Sequence, residues 1–245
     1  MRLDMFMCVS GLSRSRTHAA NLIKLGLVNL NGEAEFKASK DVCESDLICI
    51  APHVNYASLG GIKLKYALDY FKLDVNGLIA IDIGASNGGF TDVLVKNGIA
   101  KVFAVDVSEC ALPPEIKNLE CVEVRDKLNA RYLSFDDIGL KADIITIDVS
   151  FISLKHIFPA ILQFMKPMSK VIALIKPQFE VGQKFLTKHG IVVNNRTREV
   201  AVQEVVSFAN ALGLISLGLV EAPHPFLNKN QEYLACLVSN KANML

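Results

Sequence analysis

Four polar residues close apolar runs in this chain. They are Asp82 after Leu78-Ile79-Ala80-Ile81, Asp106 after Val102-Phe103-Ala104-Val105, Asp148 after Ile144-Ile145-Thr146-Ile147 and Lys176 after Val171-Ile172-Ala173-Leu174-Ile175. Such runs read as strands of a buried parallel sheet, and open parallel sheets bind ligands beyond the carboxyl ends of their strands. Taken singly, each polar residue reads as the first solvated position after a buried strand. Together on one rim, beside a glycine turn, they read as a site. The turn follows Asp82 directly, as Ile83-Gly84-Ala85-Ser86-Asn87-Gly88-Gly89-Phe90. Its glycines would let backbone approach a ligand, and the N–H groups of a helix starting near Gly88 would favour electron-rich atoms. Asp106 suits the two hydroxyls of an adenosine ribose. These residues together imply an adenosine-containing cofactor.

The elements that must position them alternate along the chain. Strands are expected at 78–82, 101–106, 120–124, 143–148 and 171–176 with helices in the gaps, then a helix over about 198–212 and strands near 214–220 and 232–238. Alternation of this kind implies an α/β domain with a mainly parallel sheet covered on both faces. A helix over about 63–71 carries Leu64, Ala67, Leu68 and Phe71 at helical spacing. Residues 1–52 read differently, as short units that form a small α+β domain. Leu3 to Val9 is followed by a Gly11 break, then by a helix from Ser15 as N-cap to Lys24 that ends at Gly26. Leu27 to Leu30 runs into the hairpin signal Asn31-Gly32, and Leu47 to Ile50 is a further strand. Residues 53–59 are expected to be a linker, and 60–245 the second domain.

Composition narrows the function classes. No apolar run approaches the ~20 residues of a spanning helix, and Met1 to Ser10 lacks a signal-peptide core, so a cytoplasmic protein without a membrane partner is expected. The six cysteines form no C-x-x-C pair and read as reduced core fillers, with no metal framework. Net charge is +1, yet residues 1–32 carry Arg2, Arg14, Arg16 and Lys24 against Asp4 alone. That local excess could grip phosphate, and a solvated mixed face would look the same. Ser15 and Arg16 serve equally well to cap and brace their helix. The lone histidines, His18, His53, His156, His189 and His224, read as solvent-exposed.

Several blocks in order resemble one family. In the small domain they are Arg2-Leu3-Asp4, Ser15-Arg16 and Val28-Asn29-Leu30-Asn31-Gly32. In the large one they are Gly60-Gly61-Ile62-Lys63-Leu64, the Asp82–Thr91 turn, Asp148-Val149-Ser150-Phe151-Ile152-Ser153-Leu154 and Lys176-Pro177-Gln178-Phe179-Glu180. The chain resembles the TlyA-type hemolysin/ribosomal-RNA 2′-O-methyltransferases, which join an S4 RNA-binding domain to an FtsJ-like methyltransferase domain. The resemblance implies a Rossmann-like sheet of about seven strands and S-adenosyl-L-methionine as cofactor. It implies a Lys-Asp-Lys-Glu catalytic set at Lys63, Asp148, Lys176 and Glu232. Around the cofactor it implies Gly84, Ala85, Ser86, Gly88, Gly89 and Phe90, with Asp82 near the methionyl amine, Asp106 on the ribose and Asp126 at the adenine amino group. Arg2, Arg14, Arg16 and Lys24 become RNA contacts, and the implied substrate is a cytidine ribose of large-subunit ribosomal RNA. Leu59 stands where the family has arginine, and His189 where glycine is common.

Three other classes compete. A membrane-lytic protein lacks a long cationic amphipathic helix in this sequence. A non-catalytic RNA-binding assembly factor would not need all four residues of the catalytic set. An NAD-dependent dehydrogenase would need G-x-G-x-x-G, from which Gly84 to Gly89 departs.

Overall fold

A computed structural model of the chain describes residues 1–24, 26–50, 56–223 and 230–240. Part of the expected linker, 53–55, lies outside the described residues, as do His53 and His224. Near the N-terminus, α1 (Leu3–Val9) and α2 (Arg16–Lys24) pack on a three-stranded antiparallel sheet of β1 (Val28–Leu30), β2 (Glu33–Ala34) and β3 (Ile48–Ile50), in the order β2-β1-β3. Helical spacing puts Leu3 and Met7 on one side of α1, and Ala19, Leu22 and Ile23 on one side of α2. These residues, with Val28 and Val42, are the buried core of the unit. Ser15 Oγ accepts the His18 amide at 3.1 Å, capping α2. Asn31 and Gly32 both take positive φ, as the tight turn between β1 and β2 requires.

The remaining elements run α3 (Gly60–Tyr70), β4 (Ile79–Ile83), α4 (Gly89–Lys96), β5 (Lys101–Val105), α5 (Pro114–Lys117), β6 (Val122–Arg125), α6 (Phe135–Ile138) and β7 (Ala142–Ile147). Then follow α7 (Phe158–Ile161), β8 (Met165–Ile175), α8 (Pro177–Glu180), α9 (Asn195–Ala211), β9 (Leu214–Glu221) and β10 (Tyr233–Ser239). The sheet order is β6-β5-β4-β7-β8-β10-β9. Its first five strands are mutually parallel, and β10 is antiparallel to both neighbours. Residues of each strand alternate between two cores. Ile81, Ile83, Ile145 and Ile147 face one, while Ala80, Ile144, Ile172 and Leu174 face the other. Chain order reverses at β4, which has β5 on one side and β7 on the other, so a cleft opens at the carboxyl ends of these strands.

Three expectations change. The gaps before β6, β7 and β8 hold only one-turn helices, α5, α6 and α7, because proline, glycine and polar residues interrupt any longer helical pattern there. Cys43 and Cys49 are exposed rather than core residues, although Cys110 and Cys236 are buried. His18 is half-buried, and burial with the nearby Arg14 lowers its pKa from the usual imidazole range.

Candidate active site

Two adjoining cavities lie over the carboxyl ends of β4, β5 and β7. The larger, ≈ 380 Å³, is lined by Gly84, Ser86, Asp106, Asn129, Asp148 and Phe151 among others. The smaller, ≈ 170 Å³, shares Ser150 with it and adds Ser58, Lys63, Gly89, Phe90 and Lys176. Of the residues expected around a cofactor, Gly84, Ala85, Ser86, Gly89, Phe90 and Asp106 line these spaces, and Asp82, Gly88 and Asp126 do not.

Asp82 supports the turn from beneath. It is fully buried, accepting the Thr91 hydroxyl at 2.6 Å and the Thr146 hydroxyl at 2.8 Å. Thr146 is its direct partner on β7, and Thr91 lies on α4, so one carboxyl ties three elements together. Burial pushes that carboxyl up to about 6, against the two hydroxyl bonds, which favour its ionised form. A folded-state value above the unfolded one means that the folded chain keeps the proton at higher pH. The resulting stability is complete below about pH 4 and lost as pH rises through about 6. In Asp82→Asn the amide can still meet both hydroxyls. Asp82→Asn should therefore gain on the wild type by up to roughly 3 kcal/mol between about pH 4 and about pH 7.5. Urea melts at the two pH values measure this, and parallel profiles for the two proteins would contradict it.

The glycines of the turn accommodate the chain itself. Gly84 has φ +84°, and a Cβ there would collide with the Asp148 carbonyl. A Cβ on Gly89 would collide with Ser58 Oγ and crowd the Gly61 amide, so the starts of α3 and α4 meet backbone to backbone. Gly88 caps α4 in the left-handed conformation and faces Leu112, not the cavities. Asp106 accepts the Ser86 amide with one oxygen, at 2.9 Å, and the Ser108 amide and hydroxyl with the other. Asp126 accepts the Cys110 amide at 2.6 Å, a hydrogen bond that holds its pKa below the usual carboxylate range. It braces a loop behind the cavity, where Leu128, Asn129 and Ala130 form the wall.

Two lysine–carboxylate pairs complete the site. Lys176 Nζ lies 2.7 Å from Asp148 Oδ1 and donates to Ser150 Oγ at 2.9 Å. Lys63 Nζ donates to Glu232 Oε2 at 2.5 Å. The antiparallel register Tyr233↔Ile175 brings Glu232 beside Lys176 at the sheet end, and α3 delivers Lys63 from the other side. Thus Lys63, Asp148, Lys176 and Glu232 converge from four separate elements. Phe151 was not expected. It is 91% exposed on the rim with φ +63°, tilted against Phe179 at 5.0 Å between ring centres. Its block stood out in the sequence, but no pattern marked an exposed aromatic, and Asn129 and Ser58 had no chemical signal.

The basic residues of the small unit are less free than their charge count implied. Arg2 and Arg16 both pair with Asp4, which is 4% exposed, and Arg14 pairs with Glu115 across the chain at 3.3 Å. Lys24 is exposed at the end of α2. Asp4 is the missed element, an acid that orders two guanidinium groups.

A mainly parallel sheet of this order, with antiparallel β10 and its cleft at the β4 switch point, is the Rossmann-type methyltransferase fold. The chain belongs to the FtsJ-like methyltransferase family, whose model matches residues 56–239, and the S4 domain model matches residues 1–48. It is 36% identical to the 16S/23S rRNA (cytidine-2′-O)-methyltransferase TlyA of Mycobacterium tuberculosis, over 96% of this chain and 89% of that protein. It is 31% identical to the 23S rRNA (cytidine-2′-O)-methyltransferase TlyA of Campylobacter jejuni, over 80% of this chain and 83% of that one. The solved structure of a hemolysin-named protein from Streptococcus thermophilus superposes with a TM-score of 0.76 at 35% identity, covering 98% of this chain and 89% of its own.

Proposed function

We propose that this chain is an S-adenosyl-L-methionine-dependent rRNA (cytidine-2′-O-)-methyltransferase acting in the cytoplasm on a large-subunit (23S) ribose. The observation that carries the reading is the convergence of Lys63, Asp148, Lys176 and Glu232 beside a cavity at the switch point of a methyltransferase sheet. Both curated relatives described above carry 23S rRNA and cytidine-2′-O in their names.

The larger cavity fits the cofactor in volume and chemistry, since small-molecule sites run about 300–1,000 Å³. Gly84, Ser86 and Asp106 would hold it, with Asp106 offering carboxylate oxygens to ribose hydroxyls. Bound there, S-adenosyl-L-methionine supplies an electrophilic methyl carbon on a positively charged sulfur. A ribose 2′-hydroxyl is a weak nucleophile until its proton is removed. Lys176 Nζ, after releasing its own ammonium proton to solvent, takes that proton as the oxygen attacks, and Asp148 holds the ammonium so formed. Lys63, fixed by Glu232, steadies the ribose oxygen on the opposite side. Phe151, held out into solvent, is placed to stack on a nucleobase. In the S4 unit, Arg2 and Arg16 pair with Asp4 yet keep about half of each side chain exposed. With Arg14 and Lys24 they supply phosphate contacts, which give affinity and register.

Mapping 2′-O-methyl groups in ribosomal RNA from cells with and without the gene tests this reading. One cytidine of 23S rRNA should lose its methyl on deletion and regain it on complementation. An unchanged methylation map removes ribosomal RNA as the substrate.

A further inference from the structure

The segment after β7 and the helix after β8 are bound to each other at three levels. At the site, Lys176 pairs with Asp148 and Ser150. On the rim, Phe179 packs on Phe151. Behind both, Glu180 accepts the Ser153 hydroxyl at 2.5 Å with Oε2 and the Leu154 amide at 2.9 Å with Oε1. Glu180 touches neither cavity. Burial raises its carboxyl above the usual range, opposed by those two hydrogen bonds. A group that is costly to bury, and that spends both oxygens on one loop, has a mechanical explanation. The loop it grips at Ser153 and Leu154 runs over residues 149–154; its residues 149–152 line the larger cavity and include Phe151 in a backbone conformation that a bulky residue seldom adopts.

We propose that Glu180 is a positioning residue that clamps the 149–154 loop, so that Asp148 and Ser150 meet Lys176 and Phe151 stays on the rim. The reaction it serves is the methyl transfer proposed above, on which this assignment rests. The clamp works through hydrogen bonds rather than charge. Glutamine can reproduce it, because the Ser153 hydroxyl can accept from the new amide while the Leu154 N–H still donates to its oxygen.

The test compares full-length Glu180→Ala, Glu180→Gln and Ser153→Ala with the wild type in three measurements. These are hydrogen exchange at the Leu154 amide, calorimetric affinity for S-adenosyl-L-methionine, and the kcat for methyl transfer to ribosomal RNA. Glu180→Ala should speed Leu154 exchange by about tenfold or more and weaken cofactor affinity by about tenfold. It should lower kcat by about 10²-fold. Glu180→Gln should stay near the wild type in all three, and Ser153→Ala should fall between. Wild-type exchange and affinity in Glu180→Ala would overturn the clamp. So would a Glu180→Gln variant as impaired as Glu180→Ala, because charge would then be the operative property. If the wild type transfers no methyl to ribosomal RNA, the substrate reading fails on its own, and exchange and cofactor affinity still decide whether Glu180 holds the loop. If Glu180→Ala does not fold, the Ser153→Ala and Glu180→Gln measurements give the same decision.

Discussion

Lys176→Ala is expected to reduce methyl transfer by about 10³-fold, the range of losing a positioned proton acceptor, while the protein still binds S-adenosyl-L-methionine. The expectation rests on geometry. Lys176 lines the smaller cavity, and its Nζ is held by Asp148 and Ser150. Lys176→Arg separates two roles that alanine removes together. Arginine keeps the positive charge but cannot lose a proton at accessible pH. If Lys176 acts by taking the 2′-hydroxyl proton, Lys176→Arg should be as inactive as Lys176→Ala. Single-turnover transfer of radiolabelled methyl to ribosomal RNA measures both variants, and cofactor affinity is measured alongside. Wild-type transfer by Lys176→Ala would end the assignment. Substantial activity in Lys176→Arg would move the proton to another acceptor and leave residue 176 as a fixed cation.

The second large effect is structural. Gly84→Ala asks a Cβ to occupy the space of the Asp148 carbonyl in a left-handed conformation. Strain and overpacking each cost about 1–3 kcal/mol, so destabilisation of about 3 kcal/mol or more is expected. In a chain of this size that corresponds to a fall of roughly 10 °C in melting temperature. Gly77→Ala is the control. It has φ +72° but no heavy atom near its Cβ position, so it carries the conformational cost without the collision. Equal melting temperatures for the two variants would show that the Asp148 carbonyl gives way, and that the contact is looser than the structure draws it.

Much of the architecture was legible because burial writes itself into strands. The apolar runs that ended at Asp82, Asp106, Asp148 and Lys176 correspond to β4, β5, β7 and β8 within a residue or two at their carboxyl ends. At Asp106, Asp148 and Lys176 the strand stops where a polar residue turns to the cleft, whereas β4 runs past the fully buried Asp82 to Ile83. The amino end of β8 was not legible. It begins at Met165, far before the apolar run, because Lys166 pairs with Asp143 and Ser169 bonds the Ala142 carbonyl at the amino end of β7. Strand order was also closed to sequence reading, since pairing between β4 and β7 depends on contacts made far apart in the chain. At the site, residue types pointed to one rim but not to which carboxyl faces the cavity. Asp82 and Asp106 look alike as strand-end acids. One is enclosed by Thr91 and Thr146 and the other opens to the cavity, and that difference lies in their neighbours. The glycines carry a similar ambiguity. Their signal for close approach was sound, but at Gly84 and Gly89 the approaching groups belong to the chain.

The pairing of both site lysines has a further consequence. The proposed reactants carry opposite charge, since the methyl donor is a sulfonium cation and the RNA a polyanion. A strongly basic centre would repel the first and a strongly acidic one the second. With Lys63 matched by Glu232 and Lys176 by Asp148, the four side chains sum to zero in the resting pairs, before Lys176 gives up its proton. The centre is thus an electrically even floor on which two oppositely charged molecules can meet, and long-range attraction for RNA is left to the surface around it.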